Sequence, residues 1–336
     1  MTALSMAKAI NAGLRRSLAD DDRVVLMGED IGTLGGVFRV TDGLQTEFGP
    51  RRVMDSPLAE SGILGTAVGM AYRGLRPVVE IQFDGFIYPA FDQIVSQVAR
   101  MHYRTAGAVR MPITIRVPFA GGIGAAEHHS DSPEAYFAHA AGLRVVSPST
   151  PQDAYTLIQQ AIASDDPVLF FEPKRRYHAK GDVDEEAALQ DARPMGTARV
   201  VTPGADVTLV TYGGLVQLAT DAALAAADEG VSVEVIDLRS LSPLDLDTVA
   251  ASVRKTGRLV VTHEAALSGG LGAEISASIT ERCFYYLEHA PVRITGHDIP
   301  YPPARLEAAH LPDLDRILDG IDRAMDRPNS LSGVDD

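Results

Sequence analysis

Tryptophan is absent from this 336-residue chain, cysteine occurs once, and basic residues are outnumbered by acidic ones. The single cysteine, Cys283, has no partner for an intrachain disulfide and is too little for a zinc cage, which suits a reducing compartment. Thirty Lys and Arg against forty-five Asp and Glu give a net charge of −15. That balance argues against a nucleic-acid backbone as partner, because such binding needs clustered cations. No apolar run approaches the roughly 18 residues of a membrane span. The N-terminus, Met1 to Lys8, lacks the charged start and apolar stretch of a secretion signal. A hydrophobic fraction of 46% with 22% charge excludes disorder and fibres. At about 150 residues per domain, the length points to two domains. The expectation is a soluble, cytoplasmic, two-domain protein that contacts neither membrane nor nucleic acid.

Hydrophobic spacing gives the organisation. Leu4, Ala7, Ile10, Leu14 and Leu18 recur every three or four residues, which predicts a helix over 3–19. Val24-Val-Leu-Met27, stopped by Gly28, reads as a buried strand. Helices over 60–73, 88–104, 133–141 and 151–164 then alternate with strands over 77–83, 112–117, 143–147 and 167–172. Strands that are apolar throughout, alternating with helices, predict a parallel sheet covered on both faces. A second alternating block has strands over 206–212, 231–237, 257–262 and 291–295, with helices over 215–229, 243–255 and 270–284. Ser242-Pro-Leu-Asp245 reads as a helix start, with Ser242 as the cap. The acidic, alanine-rich stretch after Lys174 reads as the connection. The expected domains are therefore 1–175 and 199–327, joined by a linker over 176–198 and followed by a frayed tail over 328–336.

Several chemistries fail at the first check. The sequence has no phosphate-binding Gly-x-x-x-x-Gly-Lys-Ser/Thr loop and no Gly-x-Gly-x-x-Gly after a strand. It has no Gly-x-Ser-x-Gly and no His-Glu-x-x-His. Gly121-Gly-Ile-Gly124 and Ser268-Gly-Gly-Leu-Gly272 need be no more than tight turns. What remains is a set of polar residues beyond the C-terminal ends of expected parallel strands, where such sheets build their sites. Glu29-Asp30 follows the first strand; Gln82 precedes an aromatic stretch, Phe86-Ile-Tyr88; Glu127-His-His129 lies in a long loop. Glu29 could equally cap the next helix, and the aromatics could cover the core. His128 and His129 stay open between surface residues, metal ligands and one catalytic imidazole, although neighbours on extended backbone diverge and would not share a metal. Glu60 opens a helix rich in Gly62, Gly65, Ala67, Gly69 and Ala71. It either complements the helix N-terminus or is a desolvated carboxylate that shares a proton with a ligand, with the small residues packing the helix closely.

The blocks Gly28-Glu-Asp30, Ser56-Pro-Leu-Ala-Glu60, Glu80-Ile-Gln-Phe83, Phe86 to Val95, His129-Ser-Asp-Ser-Pro-Glu134, Phe170-Phe-Glu-Pro173, Val235-Ile-Asp-Leu-Arg239 and Thr262-His-Glu-Ala265 together resemble the beta subunits of thiamine-diphosphate-dependent 2-oxo acid dehydrogenases. The resemblance runs in order over about residues 3–325. It implies a transketolase-like fold, in which a pyrimidine-binding α/β domain precedes a smaller C-terminal α/β domain. It also implies half an active site. The family's alpha subunit holds Mg²⁺ and the diphosphate through a Gly-Asp-Gly motif that this sequence lacks. The beta subunit holds the aminopyrimidine.

On that resemblance Glu60 hydrogen-bonds the pyrimidine N1′, and Phe86 stacks on the ring. Gln82 and the backbone of Leu58, Ala59 and Glu60 line its edge, and Glu29 organises Glu60. Phe86, Ile87, Tyr88 and Pro89 face the substrate. His129, selected over His128 by the His-Ser-x-Ser alignment, orients the oxo acid and supplies a proton during acyl transfer. Family members also hold K⁺ through backbone carbonyls after strand 112–117 and near 161–166. The implied partners are an alpha subunit, in a two-alpha, two-beta heterotetramer, and a lipoyl acyltransferase core. Gln82-Phe83 and Thr262-His-Glu-Ala-Ala-Leu-Ser-Gly-Gly270 look more like branched-chain members, acting on 3-methyl-2-oxobutanoate, than like pyruvate or acetoin members. A few substitutions suffice to change that preference. A non-catalytic scaffold subunit is the reading from another class, and retention of both Glu60 and His129 argues against it.

Overall fold

Runs such as Val24-Val-Leu-Met-Gly28 and Val168-Leu-Phe-Phe-Glu-Pro173 are buried at every position, as strands covered on both faces must be. In the computed structural model, which describes residues 1–186, 189 and 192–327, the strands are as follows. Strands β1 (Thr2–Ser5), β2 (Val24–Gly28), β3 (Val53–Asp55), β4 (Arg76–Glu80), β5 (Thr114–Phe119), β6 (Arg144–Val146), β7 (Val168–Pro173) and β8 (Lys180–Val183) lie in the first half. Strands β9 (Arg199–Thr202), β10 (Val207–Thr211), β11 (Val233–Asp237), β12 (Ser240–Ser242), β13 (Leu259–Ala266) and β14 (Val292–Gly296) follow. The expected tail over 328–336 lies outside the described residues.

The chain divides into two compact units, the first comprising Met1–Ala120, His128–Gly196 and Ser240–Pro243. Its 7-stranded sheet has the order β12-β6-β7-β5-β4-β2-β3. All neighbours are parallel except β12, which pairs antiparallel with β6. Chain order runs from β2 outward to β3, then resumes on the other side of β2 with β4. The sheet's winding therefore reverses between β2 and β4, and beyond their C-terminal ends a doubly wound sheet leaves a crevice. The two strands lie so close there that a Cβ on Gly28 would come within 3.0 Å of the Glu80 carbonyl. Helices α1 (Met6–Asp20), α2 (Glu60–Tyr72) and α3 (Pro151–Ala163) flank the sheet. Met6, Ile10, Leu14 and Leu18 of α1 and Leu157, Ile158 and Ile162 of α3 share one buried cluster with strand residues.

The second unit comprises Gly121–Glu127, Thr197–Arg239 and the chain from Leu244 on. It holds a 5-stranded sheet of order β14-β13-β10-β11-β9, parallel except for β9. Helices α4 (Val216–Asp228), α5 (Leu246–Thr256), α6 (Leu271–Cys283) and α7 (Leu314–Ala324) belong to this unit. A compact α/β unit of each kind was the expected fold class.

Four local expectations change. The segment expected as helix 88–104 is broken into a 3-10 turn at Asp84–Ala90, a π turn at Gln93–Val98 and a short α turn at Met101–Arg104. Pro89 withholds a donor inside the first turn, and Ala99 N–H reaches back to Ile94 O at 2.9 Å, which is π spacing. Residues at the start of the expected first helix form β1, which pairs with β8 inside the stretch expected as linker. Ser242 is a strand residue, not the cap; Asp245 caps α5 by accepting from Thr248 N–H at 3.1 Å. Helix α7, whose Ile317, Gly320, Ile321 and Ala324 are buried, had no counterpart in the sequence reading.

Candidate active site

The crevice at the winding reversal receives Glu29 from the end of β2 and Gln82 just past β4. Glu29 is 8% exposed, and its carboxylate accepts from the Ala59 N–H at the start of α2. It therefore does not cap a helix immediately after its own strand. Burial raises its pKa, and the charge of nearby Glu60 raises it further. One of its oxygens, Oε1, is buried without a hydrogen-bond partner in the structure. Glu60, 7% exposed, is the first residue of α2. Two carboxylates buried side by side at the mouth of a parallel sheet, one holding its proton more tightly than usual, suit proton exchange with a ligand better than scaffolding. Gln82 Nε2 donates to Glu29 O at 3.4 Å and to Asp30 Oδ2 at 3.5 Å, which ties β4 to the same corner.

Within this chain, the packed face of α2 is not its glycine face. Ile63, Leu64, Ala67 and Ala71 make the packed face, while Gly62, Gly65 and Gly69 face outward. Leu58 and Ala59 are also exposed, with Leu58 at 78%.

On the other side of the corner, rings gather. The imidazole of His129 stacks on Phe83 at 4.0 Å and meets Phe86 edge-on at 5.1 Å. The His128 ring lies only 4.2 Å from that of His129. The expectation that the two diverge fails because Glu127–His129 forms a 3-10 turn, not extended backbone. No cluster of three or more metal-ligating side chains occurs among the described residues. His129 Nδ1 lies 2.9 Å from the His128 carbonyl; a carbonyl only accepts, so Nδ1 carries the hydrogen and Nε2 remains as the basic nitrogen. Gly85 admits this loop, since a Cβ there would sit 2.3 Å from the His128 carbonyl oxygen. Of the stretch expected to face substrate, Phe86 is partly exposed, Tyr88 and Pro89 are exposed, and Ile87 is wholly buried.

Sequence reading missed the charges beneath this surface. Asp84, fully buried, pairs with the equally buried Lys174 and accepts from Asp131 N–H at 2.5 Å. Desolvation pushes its pKa up to about 6, against the pull of Lys174. Below it, Arg116 joins Glu80 at 2.5 Å and Glu172 at 2.7 Å. The available signal was Glu172, the one charge in an otherwise apolar strand, followed by the basic run Lys174-Arg-Arg176, since an unpaired charge buried there would be costly.

The family "Transketolase, pyrimidine binding domain" matches residues 2–180, and "Transketolase, C-terminal domain" matches residues 196–317. A pyruvate dehydrogenase E1 component subunit beta from Leifsonia xyli is 57% identical over 322 residues, covering 96% of this chain and 95% of the relative. This chain belongs to the 2-oxo acid dehydrogenase E1 beta-subunit family. A 3-methyl-2-oxobutanoate dehydrogenase subunit beta from Mycobacterium tuberculosis is 56% identical, covering 97% of this chain and 93% of the relative. A 2-oxoisovalerate dehydrogenase subunit beta from Pseudomonas aeruginosa is 46% identical over 97% of this chain and 96% of its own. Among solved structures, a split-gene transketolase described as an inactive beta4 tetramer superposes with a TM-score of 0.78 at 21% identity, over 96% of this chain and 98% of that one, a likeness of fold. For this E1 beta chain the transketolase-like two-domain architecture read from the sequence therefore holds. No helix among its described residues is long and apolar enough to cross a membrane.

Proposed function

We propose that this E1 beta chain supplies the aminopyrimidine half of a thiamine-diphosphate site and that, joined to an alpha subunit, it oxidatively decarboxylates a branched 2-oxo acid. The observation that carries the reading is the buried pair Glu29 and Glu60, with an unpartnered oxygen aimed at no protein donor. Such a pair fits a ring that presents both a basic nitrogen and an amino group, and the family depends on thiamine diphosphate. When bound, the cofactor supplies the carbanion chemistry that releases CO₂ and passes the acyl group to a lipoyl acceptor.

This chain's residues then have separate duties. Glu60 hydrogen-bonds the ring nitrogen and exchanges a proton there. Glu29, with its proton held more tightly because of burial and the charge of Glu60, steadies Glu60. Gln82 and the backbone of Leu58 and Ala59 border the ring, and Phe86 offers an aromatic face. His129, with Nε2 free to act as a base, orients the oxo acid and moves a proton at the acyl oxygen. Phe86, Tyr88 and Pro89 border the substrate; Ile87, buried beneath them, supports that wall and does not touch the ligand. Mg²⁺ and the diphosphate belong to the alpha subunit of a two-alpha, two-beta assembly, and K⁺ is held by backbone carbonyls. The complex is cytoplasmic and serves a lipoyl acyltransferase core.

The branched substrate is favoured by Gln82-Phe83 and the Thr262–Gly270 stretch, and by the 56% relative that bears a 3-methyl-2-oxobutanoate name. Pyruvate is the second reading, favoured by the 57% relative named for it. The test compares 3-methyl-2-oxobutanoate with pyruvate, using this chain alone and assembled with an alpha subunit. Activity is expected only in the assembly and higher on the branched acid. Glu60→Gln should lower kcat by at least about 100-fold with assembly intact. Preference for pyruvate would overturn the substrate, and an unchanged Glu60→Gln rate would overturn the site.

A further inference from the structure

The loop that carries His129 leaves the sheet after Ala120 and returns at Asp131, and both peptides at its neck are tied. Ala120 N–H donates to Asp131 O at 2.8 Å, and Asp131 N–H donates to Asp84 Oδ2 at 2.5 Å. Asp84 opens the turn that presents Phe86, and its other oxygen pairs with Lys174 at the end of β7. Three segments at the mouth of one sheet thus meet at a single buried carboxylate. We infer that Asp84 and Lys174 are a positioning pair for His129, fixing residue 131 so that the imidazole is held against Phe83 and Phe86. The inference rests on the reading above, in which His129 acts on the substrate.

The chemistry favours an ion pair for this task. A charged carboxylate accepts from two donors in fixed directions, and its bonds are shorter and stronger than those of a neutral acceptor. Lys174, with no exposed side-chain surface, cannot swing into solvent and so fixes where Asp84 points. Both charges are desolvated, so the pair adds little net stability, and its return is geometric. The ring it positions is two residues away along the chain, and a misplacement of about 1 Å at a proton-transfer group lowers rate by about 100-fold.

Asp84→Asn alone leaves Lys174 buried opposite a neutral amide and tests folding before anything else. The informative variant is Asp84→Leu with Lys174→Met, which removes both charges and the acceptor while filling the volume. Asp84→Asn with Lys174→Gln keeps an acceptor for Asp131 N–H. Each is assembled with the alpha subunit and assayed with an artificial electron acceptor, beside His129→Asn and the triple variant that adds His129→Asn to the apolar pair. The expected result for the apolar pair is a kcat lowered about 30- to 100-fold, with KM for the oxo acid and cofactor affinity within about threefold. The amide pair should stay within about fivefold of the parent. Adding His129→Asn to the apolar pair should cost nothing further, because the ring is already misplaced. Full kcat in the apolar pair while His129→Asn is impaired would overturn the inference and leave the reading of His129 intact. Independent, multiplying losses in the triple variant, or a loss confined to cofactor affinity, would mark a purely structural pair and also overturn it. An unimpaired His129→Asn would refute the reading of His129 itself, and the inference with it.

Discussion

His263 in the second unit gives a quantitative handle on acid stability. It is 1% exposed on β13. Its Nε2 accepts from Gly272 N–H at 3.0 Å, in the first turn of α6, while Nδ1 faces the Ala265 carbonyl at 3.1 Å. The ring is therefore the neutral Nδ1–H tautomer. A second proton would have to go to Nε2, where it would confront an N–H at the positive end of a helix. Burial is the main cause that depresses the pKa from 6.5 to about 4, and Arg293 adds to it. In the unfolded chain the imidazole binds a proton near pH 6.5, whereas in the folded chain it refuses one until about pH 4. A depressed folded pKa means that the contribution is fully present above 6.5 and is lost as pH falls toward 4. Between pH 7 and pH 4.5 that loss amounts to about 2–3 kcal/mol. His263→Gln retains a carbonyl acceptor for Gly272 N–H but does not titrate. Urea unfolding of parent and variant at several pH values, followed by circular dichroism because the chain has no tryptophan, isolates the term as a difference of slopes. The parent should lose about 2–3 kcal/mol more than the variant over that range. Parallel pH dependences, within about 0.5 kcal/mol, would refute the reasoning.

Three further outcomes follow from the first unit. Arg116→Met strands the buried carboxylates of Glu80 and Glu172 and should cost about 3–5 kcal/mol. Scanning calorimetry should show this as a fall of about 10 °C in Tm. Tyr177→Phe, which removes only the 2.6 Å hydrogen bond to Glu172, should cost about 1–2 kcal/mol by the same measurement. Gly85→Ala places a methyl group against the His128 carbonyl and should reduce kcat of the assembled enzyme about 10- to 100-fold, with far-UV dichroism unchanged.

What the sequence made legible follows from the kind of signal each feature carries. Predominantly apolar strands such as β2 and β7, and amphipathic helices such as α1 and α3, state their burial in their own residues, so their existence and order were readable. Several short strands were not. Val53-Met-Asp55 and Ser240-Leu-Ser242 acquire strand character only from the neighbours they pair with. Strand β8 was hidden in the same way, because its partner β1 lies at the other end of the first unit. The broken segment 84–104 misled because its apolar spacing is helical while Pro89 and the π turn interrupt the hydrogen bonding.

The site divides along similar lines. Glu29, Glu60, Gln82 and His129 could be singled out because they stand at strand ends or a helix start and match motif blocks. Asp84 and Lys174 could not, since 90 residues separate them in sequence and each looks like an ordinary charge.

Strand β12 ties the gene's architecture to its sheet. The outermost strand beside β6 comes from residues 240–242, although everything else in that sheet lies before residue 174. A chimera made by joining the first half of one family member to the second half of another at residues 184–198 would therefore graft a foreign edge onto the recipient's sheet. A fragment ending there would leave β6 with an open row of backbone donors and acceptors, a template for pairing between molecules. Recombination that respects this fold must carry 240–243 along with the N-terminal parent, so the natural unit of exchange is not a contiguous stretch of sequence.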